Sequence, residues 1–61
     1  MKFSDRLAAL RKENKMSREF LAKKLGVSYS TVAKYESGTR EPDFETLEYI
    51  ANIFEVTTDY L

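Results

Sequence analysis

The sequence predicts an all-α domain of five short helices, and three observations carry that prediction. Apolar residues recur at spacings of three and four, whereas period-two alternation never persists beyond a few residues. Three junctions repeat one device: Met16-Ser17 with Leu21, Val27-Ser28 with Val32, and Val56-Thr57 with Leu61. In each, a hydroxyl can accept from the first free backbone N–H groups. An apolar residue before it and another four positions after it then fix the angle at which the chain enters the helix. Gly26, Gly38 and Pro42 fall between the periodic runs, where helices have to stop.

Helix 1 is expected over about Ser4 to Glu13, with Phe3, Leu7 and Leu10 on one face, and the polar "KENK" loop follows it. Helix 2 covers Arg18 to Leu25 and ends at Gly26, where a left-handed cap needs a residue without a side chain. Helix 3 runs from Tyr29 to Ser37 and is stopped by Gly38. "TREPD" connects it to helix 4, because a helix cannot continue backwards through Pro42. Asp43 caps helix 4, which takes Phe44 to Phe54 and is expected to bury Leu47, Ile50, Ala51 and Phe54, with Phe44 also on its core stripe. A fifth helix should begin at Thr58. It has barely one turn before Leu61, so residues 1–61 are expected to be the N-terminal part of a longer chain.

At 61 residues the chain holds one small domain with a single modest core. A hydrophobic share of 43% beside 33% charged residues reads as globular, and no apolar run approaches the ~20 residues of a membrane span. No signal-peptide pattern opens the chain, so the cytosol is the expected location and no membrane partner is expected. Cysteine and histidine are both absent, which removes disulfides, thiolate and imidazole metal ligands, and the commonest catalytic bases. The chain is therefore expected to be no enzyme and to need no metal or cofactor.

The formal net charge is zero, yet the halves differ. Residues 1–26 carry eight cations and three anions, a net +5; residues 27–61 carry two cations and seven anions, a net −5. Such asymmetry fits a molecule with one side for a polyanion and another turned away, although solvated helix faces produce the same count.

Helix 3 has little apolar surface, and its angular pattern suggests why. Successive residues turn by 100°, so Thr31, Tyr35, Val32 and Glu36 share an arc that faces the core. The opposite arc holds Ser30, Ala33, Lys34 and Ser37, with Tyr29 at its edge. Short polar side chains beside one cation suit a DNA major groove, because they let the backbone approach while their tips reach base edges and phosphates. A protein interface more often uses larger apolar anchors. Two short helices joined by a glycine-containing turn form a helix-turn-helix unit, here about residues 17–37, with Ala22 at the close helix crossing and Gly26 at the turn. A bulky residue is expected to fail at either place.

Taken together, "LR" in helix 1, "LAKKLGVS" across the turn, "YESGTREP" after helix 3 and "VTTDYL" at the end resemble the Cro and phage-repressor type of helix-turn-helix domain. This is the xenobiotic-response-element family of bacterial and phage regulators. The resemblance covers nearly the whole chain. It implies a five-helix, lambda-repressor-like DNA-binding domain that binds operator DNA as a homodimer and regulates transcription, most often as a repressor. It assigns base reading to Tyr29, Ser30 and Lys34, and backbone contact to Ser17, Arg18, Ser28, Thr31, Thr39 and Arg40. Arg18 stands where the family commonly has a glutamine, which keeps the donor and adds charge. Arg11 and Glu36 match a structural ion pair between helix 1 and the end of helix 3. Phe20 departs from a usually polar position, and an exposed aromatic is its plainest reading. The alternative function is a protein-interaction module, such as an antitoxin or adaptor, and a further C-terminal domain or protein partner fits either reading.

Overall fold

The computed structural model describes residues 2–61 and contains four α-helices: α1 (Phe3–Glu13), α2 (Arg18–Leu25), α3 (Tyr29–Ser37) and α4 (Phe44–Phe54). α3 packs against α1 and α2, and α4 packs against α2. The core between them consists of Leu7, Leu10, Leu21, Ala22, Leu25, Val32, Tyr35, Ile50 and Phe54. Burying each large side chain contributes roughly 1.5–3 kcal/mol, and four of them, Leu7, Leu21, Val32 and Ile50, lie completely inside.

The starts of α2, α3 and α4 follow the side-chain cap signals. Ser17 Oγ accepts from the Phe20 N–H at 3.0 Å, Ser28 Oγ from the Thr31 N–H at 3.2 Å, and Asp43 Oδ1 from the Thr46 N–H at 2.9 Å. The helix ends share a second device. Lys15, Gly26 and Glu55 all adopt positive φ, and the next residue donates five positions back: Met16 to Arg11, Val27 to Ala22, and Val56 to Ala51, at 2.9–3.0 Å. This is the Schellman arrangement. A left-handed residue, an apolar residue and a hydroxyl cap thus recur as one corner at residues 15–17, 26–28 and 55–57.

The expected fifth helix is corrected to a single turn. Residues 58–60 are closed by bonds from Tyr60 N–H to Thr57 O at 3.1 Å and from Leu61 N–H to Thr58 O at 3.2 Å. Both span three residues, too few for a helical ladder, although the Thr57 hydroxyl still accepts from Tyr60 N–H at 3.2 Å. Arg6 secures this turn, donating to Tyr60 O at 2.6 Å and lying 4.9 Å from the centre of its ring.

Phe44 is a second correction, being 67% exposed, while Leu47 is half-buried. It lies 120° around the helix from Ile50 and about 9 Å along the axis, so the first turn of α4 overhangs the core. Gly26 is a third. A Cβ there would meet nothing within 4 Å, so the left-handed backbone at φ 72° restricts that position and crowding does not.

Candidate nucleic-acid interface

α3 owes its place to both of its ends and to one narrow inner face. Ser28 caps the start, where its Oγ also lies 2.9 Å from the Thr31 hydroxyl and 3.1 Å from that of Ser30. Gly38, at φ 80°, closes the finish, and the Thr39 N–H donates back to Lys34 O at 3.0 Å. Val32 and Tyr35 are buried between these ends, whereas Tyr29, Ser30, Lys34 and Ser37 are exposed and Thr31 and Ala33 are half-buried. The residues expected from the sequence to read bases, Tyr29, Ser30 and Lys34, are thus all exposed.

Glu36 supplies what the inner face lacks in apolar area. Its side chain keeps only 3% of its exposure and lies against Arg11, whose side chain keeps 11%. Arg11 grips the carboxylate with two donors, Nε to Oε2 at 2.6 Å and Nη2 to Oε1 at 3.2 Å, and its Nη1 donates to Met16 O at 2.8 Å. α1, the α1–α2 loop and α3 are thereby joined at one guanidinium. Burial pushes the Glu36 carboxyl upward, but hydrogen bonds and charge from Arg11 and Arg18 outweigh it and hold the group below its ordinary value.

Arg18 is the member of this network that the sequence did not reveal. Its Nε donates to Glu36 Oε1 at 3.0 Å, and its Nη1 lies 3.5 Å from the Tyr29 hydroxyl. These contacts with Tyr29 and Glu36 raise its already high pKa, so it is a permanent cation on an exposed face. Eighteen positions separate Arg18 from Glu36, and no local spacing signals that pairing.

The backbone-contact candidates lie at the starts of α2 and α3 and in the segment that follows α3. Ser17 caps the start of α2 and occupies the Phe20 N–H, which leaves those of Arg18 and Glu19 outside the helical ladder. Ser28, Thr31 and Arg40 line an open groove beside α3, together with Asp43. Thr39 is exposed beyond Gly38, with its hydroxyl hydrogen-bonded to that of Ser37. Phe20 is 48% exposed, and the Lys24 ammonium lies 5.4 Å from the centre of its ring. The exposed residues thus combine hydroxyl donors on α3 with the cations Arg18, Lys34 and Arg40, of which Arg18 is held in place, a chemistry suited to phosphates and to acceptor groups on bases.

A family model described as helix-turn-helix matches residues 7–61. The chain is 44% identical over 59 residues to the HTH-type transcriptional regulator YqaE of Bacillus subtilis (strain 168), covering 97% of this chain and 51% of that protein. It thus spans about half the length of these curated relatives, which include the regulator AnsR of the same organism. Among solved structures it is similar to the P22 c2 repressor in complex with a synthetic operator, with a TM-score of 0.92 and 28% identity over 98% of this chain and 91% of that one. It is also similar to SinR, the master regulator for biofilm formation, in complex with DNA, with a TM-score of 0.84 and 27% identity over 95% of this chain and 94% of that one.

Proposed function

The chain belongs to the helix-turn-helix family, and on that premise we propose that it is a sequence-specific DNA-binding transcriptional regulator, a repressor that binds a palindromic operator as a homodimer. α3 enters the major groove. Tyr29, Ser30 and Lys34 read base edges, while Ser17, Arg18, Ser28, Thr31, Thr39 and Arg40 contact the sugar-phosphate backbone. The observation that carries this reading is the division of α3 into an inner face fixed by Val32, Tyr35 and Glu36 and an outer face of exposed polar side chains. A helix anchored in this way can present small donors to a groove without rotating away from it. The likeness to two proteins whose structures contain DNA supports the same reading.

One reading helix covers few base pairs, so two copies are needed for a useful site. In the dimer the two α3 helices lie about 34 Å apart, one turn of DNA, and the site takes the two-fold symmetry of the protein. The test is selection from random duplexes at two salt concentrations, with the parent and with Ser30 and Lys34 both changed to alanine. The expected result is a palindromic motif that the double variant loses or alters, with binding that falls steeply as salt rises. A folded parent that enriches nothing, or binding indifferent to salt, overturns the reading in favour of a protein partner.

A further inference from the structure

The contacts of Arg18 constrain what the Tyr29 hydroxyl can offer a ligand. Glu36, itself held by Arg11, fixes the Arg18 Nε, and the Nη1 of the same guanidinium lies against the Tyr29 hydroxyl. A guanidinium has donors and no acceptor, so the phenol oxygen must accept from it. The one hydroxyl proton is then left to point outward, on a side chain that is 47% exposed at the first position of α3.

We propose that Arg18 is a positioning residue that makes Tyr29 an obligate donor toward DNA, so that the domain discriminates against cytosine at the base Tyr29 meets. The inference rests on the DNA-reading function proposed above. In the major groove guanine, adenine and thymine each present an acceptor, O6 and N7, N7, and O4 respectively, whereas cytosine presents only its amino donor. A phenol free to rotate accepts from that amino group, but one already accepting from Arg18 meets it donor to donor. A role for Arg18 at phosphates alone predicts something different: every sequence weakened alike and the base profile unchanged.

The test compares base profiles selected from random duplexes by the parent, Arg18→Gln, Tyr29→Phe and, as a control, Lys34→Ala. In the parent, cytosine is expected to be depleted about fivefold or more at one position of each half-site. Arg18→Gln restores cytosine there and leaves the other positions unchanged, because an amide can donate to the hydroxyl or accept from it. Tyr29→Phe removes the depletion at the same position. If Arg18→Gln and Tyr29→Phe both keep the parent profile while Lys34→Ala changes it, the inference falls and the DNA-reading function stands. If the folded parent selects no motif, both fall.

Discussion

α3 and α4 are held in the fold by different physics. α4 buries Ile50, Ala51 and Phe54 and relies on apolar area, whereas α3 buries Val32 and Tyr35 and adds a carboxylate gripped from two other segments. Among the described residues, both ion pairs converge on Glu36 of α3. Apolar anchoring of the α4 kind needs a broad stripe, and a broad stripe on α3 would consume the surface that faces the ligand. Polar anchoring concentrates the attachment on one side chain and leaves the opposite face free. The cost is sensitivity, because that one side chain has to keep its charge and both partners.

The sharpest way to break the comparison is to remove the apolar anchor of α4. Ile50→Ala is expected to cost about 3–4 kcal/mol, enough to unfold much of so small a domain, with the loss read from urea denaturation. In the same helix Phe44→Ala should cost less than about 0.5 kcal/mol, because the ring is mostly in solvent. Equal losses would show that the overhanging turn of α4 carries load after all.

Next comes the polar anchor. Glu36→Gln leaves Arg11 buried beside a neutral partner and is expected to cost about 3 kcal/mol at pH 7. The carboxyl is held below its ordinary value of 4.5 in the folded protein, so its contribution is complete above that value. That contribution disappears as pH falls through the lower folded value. Urea midpoints measured from pH 7 down to pH 3 should therefore fall more steeply for the parent than for Glu36→Gln. Parallel profiles would mean that Glu36 is not what couples α3 to pH.

The corners give smaller effects. Ser28→Ala removes the bond to the Thr31 N–H and should cost about 1 kcal/mol, detectable as a lowered thermal midpoint. Glu55→Gly should act in the opposite direction, raising stability by about 0.5–1 kcal/mol, because Glu55 occupies the left-handed region at φ 56° where glycine carries no penalty. A loss on Glu55→Gly would show that its side chain, and not its backbone, matters at that corner.

Much of this organisation was legible in the residues. The side-chain caps at Ser17, Ser28 and Asp43 and the stops at Gly26 and Gly38 placed α2, α3 and α4 at the limits that the structure shows, and α1 begins only one residue earlier than expected. The left-handed residues Lys15 and Glu55 left no trace, because long polar side chains do not mark a conformation that glycine usually marks. Phe44 misled because it stands at the edge of the apolar stripe, about 120° around the axis from Ile50, and helical periodicity says nothing of how far along that axis the core extends.

Local physics set what the sequence determined alone: the helix limits, fixed by caps and chain direction, and the two faces of α3, fixed by the 100° step per residue. Tertiary structure decided the rest. It brought Arg18 to Glu36 and Tyr29, docked the last turn on Arg6, and left Phe44 in solvent. Those outcomes depend on which helices cross and where they end. Charges separated by a loop and two helices meet only after the apolar core has fixed that crossing.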